Sequence, residues 1–241
     1  MTVYNKEYYK QLSDGSLASA EIVVPELVRR YRPTSVLDLG CGTGNWLSTF
    51  KRNGVDRVLG FDGGYVSMSQ LRISRDEFRA VDLGTEFPDP VTVDLAISLE
   101  VAEHLHESRA DMFVEYLTKC SNVVFFGAAI PMQGGADHVN EKWQSYWVDK
   151  FAARNYAVST ELRDHFWTNS DVKVWYRQNT LLFVKRGSPA IDVTTMYEGD
   201  ATALDVVHPD LYVLKMKRYR FLERMLALRS ALQLGIRSRW S

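Results

Sequence analysis

A strand that runs directly into a glycine-rich loop is the feature that most constrains the fold of this chain. The segment Val36–Trp46, VLDLGCGTGNW, begins as a short apolar strand and continues with Gly40, Gly42 and Gly44. Glycines at this spacing let a ligand lie against bare backbone, because no Cβ stands in the way. No Lys-Ser/Thr pair follows, which excludes a phosphate-binding P-loop, and the GxGxG spacing departs from the dinucleotide pattern GxGxxG.

Short β-rich segments alternate with helical patterns up to residue 130. This alternation predicts an α/β fold built on a doubly wound, mostly parallel sheet. The predicted strands of this part are Ser35–Leu39, Arg57–Asp62, Glu77–Asp82, Asp94–Ser98 and Asn122–Gly127.

Apolar residues at helical spacing predict helices over Asn45–Arg52, Ser108–Cys120 and Trp143–Arg154. The pattern changes in the last third of the chain, where Tyr156–Arg163 and Thr180–Arg186 are predicted as two further strands. These two would close one edge of the sheet and bring it to seven strands.

Composition places the chain among ordinary globular proteins. Apolar residues make up 46% of the 241 residues and charged residues 24%, which excludes wholesale disorder, collagen and coiled coil. Two cysteines, Cys41 and Cys120, make no disulfide framework, and the first residues lack the apolar region of a secretory signal. We therefore expect a cytoplasmic protein.

Charge is unevenly distributed along the chain. From Leu211 onward there are eight basic residues and one acid, net +7, which leaves −8 for the rest of a chain whose total is −1. We predict a main domain over residues 1–186 and, over residues 187–241, an acidic connector followed by a basic amphipathic helix. That helix is open to three interpretations: contact with a membrane surface, dimerisation, or packing on the body of the protein. The oligomeric state stays open.

Acidic residues stand at three successive predicted strands. Asp38 lies within the first strand, Asp62 ends the second, and Asp82 ends the third and precedes Leu83. A carboxylate at the end of the second strand can accept hydrogen bonds from both hydroxyls of a ribose. An acid after the third can take an adenine amino group while the leucine packs on the ring. Together with the glycine loop, these acids indicate nucleoside binding rather than a simple tight turn.

The motifs VLDLGCGTGNW, GFD, VDL and DLAISLEVAEHL, in this order over residues 35–130, resemble those of the class I S-adenosylmethionine-dependent methyltransferases. The resemblance implies a Rossmann-like methyltransferase fold with S-adenosyl-L-methionine as cofactor. In that family the glycine loop cradles the methionine moiety, and the acids after strands two and three hold ribose and adenine. The candidate cofactor-binding residues are Asp38, Gly40, Cys41, Gly42, Gly44, Asp62, Gly63, Asp82, Leu83 and Leu99.

A second group of polar residues follows the fourth and fifth predicted strands. A helix beginning at Glu100 would place Glu103 and His104 on the same face as Glu100. His138 lies in the loop after the fifth strand, and loops at adjacent strand ends can meet. The four side chains would form a set of two oxygens and two nitrogens suited to a divalent cation.

This ExxEH element also resembles that of ubiquinone-biosynthesis O-methyltransferases and small-RNA 2′-O-methyltransferases. The resemblance implies a cation, Mg²⁺ or Mn²⁺, held by Glu100, Glu103, His104 and His138 against an acceptor with neighbouring oxygens. The segment Asp137–Trp143 is similar to the part of the RNA enzymes that supplies a further histidine. Glu103, His104 and His138 are the candidate catalytic residues.

Two alternatives remain beside the metal-dependent O-methyltransferase. A metal-free enzyme would use His138 or His104 as general base, since an imidazole suits proton removal at neutral pH. A nucleic-acid methyltransferase is disfavoured, because the acidic main domain repels phosphates and Ser98-Leu99-Glu100 is not the Asn/Asp-Pro-Pro-Tyr/Phe motif used for base amino groups. The expected acceptor is a small molecule with a hydroxyl, such as a sugar in a glycan, a secondary metabolite or another vicinal-oxygen compound.

Overall fold

The computed structural model describes residues 6–190 and 194–237, in which helices cover both faces of a seven-stranded sheet. The strands are β1 (Ser35–Leu39), β2 (Arg57–Asp62), β3 (Phe78–Ala80), β4 (Leu95–Leu99), β5 (Val123–Gly127), β6 (Tyr156–Ser159) and β7 (Leu181–Lys185). The α-helices are α1 (Lys6–Tyr31), α2 (Asn45–Arg52), α3 (Ala110–Cys120), α4 (Gln144–Ala152), α5 (Glu161–Phe166), α6 (Val174–Asn179) and α7 (Pro209–Arg237).

The strands are ordered β3-β2-β1-β4-β5-β7-β6 across the sheet. Neighbours from β3 to β5 pair in parallel, whereas β7 pairs antiparallel with both β5 and β6. The order reverses between β1 and β4, and a ligand binds at such a switch point, outside the carboxyl ends of the strands. The predicted doubly wound, seven-stranded sheet is confirmed.

Alternation along the central strands divides the core between the two faces of the sheet. Leu37 and Phe126 belong to a cluster with Phe113 of α3 and Phe151 of α4. On the other face, the strand residues one position earlier, Val36 and Phe125, belong to a cluster that includes residues of α1 and α2. Burial on both faces explains why these strands read as continuous apolar runs.

The predicted bounds match the structure for the elements around the glycine loop and differ for elements later in the chain. β1, α2 and β2 begin and end at the predicted residues. The predicted strand Tyr156–Arg163 is wrong in its second half, because β6 ends at Ser159 and Glu161 begins α5. Arg163 is buried within that helix and donates through Nη1 to the Leu204 carbonyl at 3.1 Å.

The acidic connector packs with the main unit rather than with the C-terminal helix. The structure forms two compact units divided after Val206, whereas composition placed the boundary at residue 186. The Asp205 carboxylate accepts hydrogen bonds from the Ser145 amide at 2.7 Å and hydroxyl at 2.8 Å, and Leu204 is buried in the core. Asp205, one of the acids of the predicted connector, therefore serves as a hydrogen-bond acceptor for α4.

The stacked rings of Phe151 and Phe183 tie α4 to β7, with ring centroids 3.8 Å apart and planes 11° from parallel. Both rings are fully buried, so Phe151→Ala should lower the free energy of unfolding by about 3–5 kcal/mol through lost burial and a residual cavity. Urea denaturation followed by circular dichroism measures the change. Asp149→Ala, on the exposed side of the same helix, is the control. Equal midpoints for the two variants would contradict the packing described here.

Candidate functional site

The glycine loop leaves β1 with a backbone that only glycine adopts easily. Gly40, Gly42 and Gly44 all have positive φ, at 92°, 54° and 82°. A Cβ on Gly40 would lie 2.2 Å from a methyl group of Val101, so that position also requires the absence of a side chain. A Cβ on Gly42 would meet no atom within 4 Å, so the loop faces open space at the carboxyl edge of the sheet.

Asp62 fixes the glycine loop to the end of β2. Its Oδ2 accepts a hydrogen bond from the Gly42 amide at 2.6 Å, and its Oδ1 accepts from the Gly63 amide at 2.7 Å. The hydroxyl of Tyr65, whose residue is otherwise exposed, also donates to Oδ1 at 2.6 Å. Asp62, the acid predicted to bind ribose, therefore lies beside the open face of Gly42. The Tyr65 hydroxyl occupies the position on Asp62 that a ribose hydroxyl would take.

Asp38 lies buried in β1, two residues before the glycine loop begins at Gly40. Burial, and secondarily the negative charge of Asp62, raises its pKa well above that of an ordinary aspartate. A cationic group in the loop would offset this penalty, because an opposite charge favours the ionised carboxylate.

The other predicted cofactor residues differ in accessibility. Asp82 does not end the third strand as predicted: β3 stops at Ala80, and Asp82 is exposed two residues later, where it accepts a hydrogen bond from the Gly84 amide at 3.0 Å. Leu83 and Leu99 are buried and belong to the two core clusters. Cys41 is also buried, and burial raises the pKa of its thiol, so it is a packing residue rather than a reactive thiolate.

Glu100 follows β4 in a left-handed conformation, with φ of 58°, instead of beginning a helix. A short 3-10 turn, Ala102–His104, replaces the helical face on which Glu100, Glu103 and His104 were expected to converge. Glu100 Oε2 accepts a hydrogen bond from Gln133 Nε2 and Oε1 accepts one from Asn179 Nδ2, both at 2.7 Å. Burial raises the pKa of Glu100 to about 7, although these two donors act in the opposite direction.

Buried amides complete the surroundings of Glu100. Gln178 Nε2 donates to Asn179 Oδ1 at 2.8 Å, and Asn179 Nδ2 also lies 3.0 Å from Gln133 Oε1. Arg177, Gln178 and Asn179 lie in helix α6 and are buried. Asn179 donates to Glu100, and Gln178 donates to Asn179. Gln133 was not predicted at all.

Glu103, His104 and His138 do come together. Each offers a ligand atom, and these three atoms lie within 4.8 Å of one another; no other such group of His, Cys, Asp and Glu occurs in the described parts of the chain. The His104 and His138 rings meet edge to face with centroids 4.8 Å apart, and His138 Nε2 lies 4.0 Å from Glu103 Oε1. Glu100, the fourth predicted ligand, is not part of this group.

Glu103 is fully buried, and no described side chain donates a hydrogen bond to its carboxylate, although the main-chain amides of Glu103 and Ala129 lower its pKa in part. Its main-chain carbonyl accepts the amides of Val139 and Asn140 at 2.9 and 3.0 Å, which holds the His138 loop against the turn. Burial, followed by the charge of Glu100, raises the pKa of Glu103 well above its ordinary value. Such a carboxylate needs a proton or a cation as partner.

Glu141 orients His138 and was not among the predicted site residues. Its Oε1 lies 2.8 Å from His138 Nδ1, and its Oε2 accepts the Met132 amide at 2.8 Å. An ionised carboxylate only accepts hydrogen bonds, so this contact predicts a His138 tautomer with the proton on Nδ1, and Nε2 is the nitrogen on the side of Glu103. Both residues lie in the loop between β5 and α4, so their spacing of three residues is not a helical signal that could have predicted this contact.

The group has the chemistry of a transition-metal site. One carboxylate and two imidazoles suit Mn²⁺, Fe²⁺, Co²⁺ or Zn²⁺ better than Mg²⁺, which prefers oxygen. Burial and the neighbouring His138 lower the pKa of His104, which keeps it neutral and able to ligate at pH 7. The contact between His138 and Glu141 is the carboxylate–histidine pairing that commonly supports a ligating imidazole.

Residues 16–169 match the protein family described as Methyltransferase domain. The match covers more than half of the chain, and the chain belongs to this family. With the seven-stranded fold, it confirms the prediction of a class I S-adenosylmethionine-dependent methyltransferase.

Solved structures share the fold at low sequence identity. The methyltransferase domain of bacterial CtHen1-C is 19% identical, with a TM-score of 0.50 over 70% of this chain and 97% of that one. The plantazolicin methyltransferase BpumL, in complex with a triazolic desmethylPZN analog and SAH, is 13% identical with a TM-score of 0.50 over 75% and 92%. An O-methyltransferase family protein from Burkholderia thailandensis is 12% identical with a TM-score of 0.54 over 77% and 61%. The comparison with curated proteins gave no match.

If Glu141 sets the His138 tautomer, Glu141→Ala should release it. In the metal-free protein, the ¹⁵N resonances of the His138 ring should show the proton on Nδ1 in the wild type and shared between both nitrogens in the variant. Glu107→Ala is the matched control, because Glu107 pairs with Lys142 at 2.9 Å on the surface and does not contact His138. An unchanged tautomer in Glu141→Ala would show that another group fixes the ring.

Proposed function

We propose that this protein transfers a methyl group from S-adenosyl-L-methionine to a hydroxyl of a small-molecule acceptor, with a divalent cation held by Glu103, His104 and His138. The observation that carries the cation is the fully buried Glu103 carboxylate, which accepts no hydrogen bond from a described side chain and lies in one group with two imidazoles. A dication keeps this carboxylate ionised without a protein donor. The proposed ligands are three of the four predicted from the sequence, without Glu100.

The donor side of the proposal rests on the glycine loop and its acids. The bare backbone at Gly42 and the buried Asp38 suit the methionine end of the cofactor, and Asp62 suits the ribose hydroxyls. SAH, the demethylated form of the donor, is bound in the structure of BpumL, and we extend that ligand class to this chain. The exposed Asp82 is then available to the adenine amino group.

The chain's own residues orient the acceptor and manage its proton. When bound, a dication lowers the pKa of a coordinated hydroxyl and so makes it a better nucleophile. Glu141 holds the His138 ring so that Nε2 points to the site, and the main-chain bonds from Val139 and Asn140 fix that loop on Glu103. Alignment of the hydroxyl with the methyl group is the principal requirement, since the sulfonium donor already carries a good leaving group.

The net charge of the chain before Leu211 and the exposed side chains beside His138 favour a small-molecule acceptor. The chain before Leu211 carries −8, which disfavours a polyanion such as nucleic acid. The loop that carries His138 also exposes Met132 and Val139, and Trp143 follows it. These side chains offer apolar contact to a ring, and a cation favours neighbouring oxygens. A sugar of a glycan or a secondary metabolite with vicinal oxygens satisfies both.

A metal-free methyltransferase is the second candidate, and the contact between His138 and Glu141 is what favours it. In that case His138 Nε2 takes the proton of the acceptor hydroxyl, and the Glu141 carboxylate stabilises the imidazolium that results. Glu103 would then remain protonated, as its raised pKa permits.

The cation is tested without knowledge of the acceptor. Mn²⁺ binding to the wild type, followed by calorimetry and by loss of the free-ion electron paramagnetic resonance signal, should be abolished by Glu103→Gln and by His138→Ala. Glu107→Gln, exposed and near in sequence, should bind Mn²⁺ as the wild type does. All variants should retain S-adenosylhomocysteine binding, because the changed residues lie on the acceptor side. Absence of Mn²⁺ binding in the wild type would remove the cation and leave His138 as general base.

Two variants, one of Asp62 and one of Tyr65, test the proposed binding site of the methyl donor, because both change the surroundings of Asp62 Oδ1. Asp62→Asn keeps the shape of the side chain but removes its charge and one acceptor, and should weaken S-adenosylhomocysteine binding by about 1–3 kcal/mol. Tyr65→Phe removes only the hydroxyl that occupies Asp62 Oδ1, so it should leave the affinity unchanged or raise it. Calorimetry measures both. Undiminished affinity in a folded Asp62→Asn variant would contradict the assignment of Asp62 to the ribose.

A further inference from the structure

The C-terminal helix α7 exposes large apolar side chains and basic side chains together. It runs for 29 residues, from Pro209 to Arg237. Leu214, Phe221 and Met225 are each more than half exposed. These three follow one another at intervals of seven and four residues and so form a stripe along one side of the helix, which we call the apolar stripe (Leu214, Phe221, Met225).

Basic residues border the apolar stripe on both sides. In the seven-residue register that the stripe defines, Lys215 and Arg229 lie along one flank, and Lys217 and Arg224 lie along the other. Arg218 falls within the stripe itself. Of the two acids in the helix, Glu223 lies on the opposite side, and Asp210 lies in the first turn on the flank of Lys217 and Arg224. Beyond that first turn, basic side chains border the apolar stripe, with Leu222 between Lys215 and Arg229 on one flank.

This charge arrangement opposes pairing of two copies through the stripe. In a parallel pair, Arg224 of one helix would face Arg229 of the other. In an antiparallel pair each flank would face its own copy, which past the first turn sets basic side chains against one another. Like charges at these positions destabilise a helical pair. The complementary surface is one that is apolar and anionic.

A lipid surface covers more of this helix than a single acidic partner helix would. Beyond the flank of Lys215 and Arg229, Tyr212, Tyr219 and Leu226 are also more than half exposed. A partner helix buries a narrow seam and would leave these side chains in water. An interface takes up a broad arc, because Lys and Arg extend their charged ends to phosphates while their stems and the tyrosine rings stay among the acyl chains and headgroups.

We propose that helix α7 lies along an anionic lipid surface, with the apolar stripe toward the acyl chains and the flanking Lys and Arg side chains on the headgroup phosphates. The helix would lie in the interface and not cross it, since none of the described helices combines the length and apolar composition needed to traverse a bilayer. The acceptor of the methyl group does not enter this argument, so the proposal is independent of the proposed function.

Vesicle sedimentation with the full chain tests the proposal. The wild type should pellet with vesicles of phosphatidylcholine containing a third of phosphatidylglycerol, weakly with phosphatidylcholine alone, and less as salt is raised. The double variants Leu214→Ser/Phe221→Ser and Lys217→Glu/Arg224→Glu should each weaken binding by about tenfold or more. Met216→Ser, on the side of Glu223, is the matched control and should bind as the wild type does.

Two results would overturn the proposal. One is failure of the wild type to pellet with anionic vesicles at low salt. The other is a dimer in analytical ultracentrifugation that Leu214→Ser/Phe221→Ser dissociates while vesicle binding is unchanged, which would assign the stripe to self-association. Calorimetry with S-adenosylhomocysteine accompanies every variant. Unchanged affinity there shows that the methyltransferase domain is folded, so a loss of vesicle binding belongs to the helix.

Discussion

Three carboxyl groups are buried at one edge of the sheet, and the cost of removing them from water determines which partners each of them needs. Asp38 in β1, and Glu100 and Glu103 after β4, are held in surroundings that raise the pKa of each, with burial as the largest cause. An unpaired charge inside a protein costs several kcal/mol, so each acid must find donors, keep a proton or bind a ligand. Acids on two adjacent parallel strands place this demand in one small region, where the loops of β1, β4 and β5 meet.

The fold meets this demand for one of these acids and not for another. Glu100 accepts hydrogen bonds from two buried side-chain amides, Gln133 and Asn179, and burial still raises its pKa to about 7. Glu103, three residues later, accepts no side-chain hydrogen bond, and burial raises its pKa well above the ordinary value although two main-chain amides act in the opposite direction. This difference fits Glu100 as part of the scaffold and is the reason that we propose Glu103, and not Glu100, as a ligand-binding acid. This difference also explains why the structure groups Glu103, His104 and His138 but leaves out Glu100, the fourth ligand predicted from the sequence.

The sequence predicts the parts of the site that follow from strand topology. β1, α2 and β2 have their predicted bounds because apolar strands and a GxGxG loop are local signals, and His138 meets His104 because loops at adjacent parallel strands share an edge. The left-handed backbone of Glu100 carries no such signal, since a non-glycine residue with positive φ is set by its surroundings. Helix α5 was missed because its short apolar pattern continues that of β6. The partnership of Glu141 with His138 depends on the path of a loop.

The contact between His138 and Glu141 serves either chemistry, so the state of Glu103 distinguishes them. With a cation, the Nδ1 hydrogen bond directs Nε2 toward the ion; without one, the same bond stabilises an imidazolium. A general base needs no second carboxylate at 4.0 Å from its ring, and in that case Glu103 would stay protonated and take no part. In the proposed function a dication would give this carboxylate a role, because its charge would favour the ionised form of Glu103 and the neutral form of both imidazoles. We therefore propose the buried Glu103 carboxylate as a metal ligand rather than as a proton store.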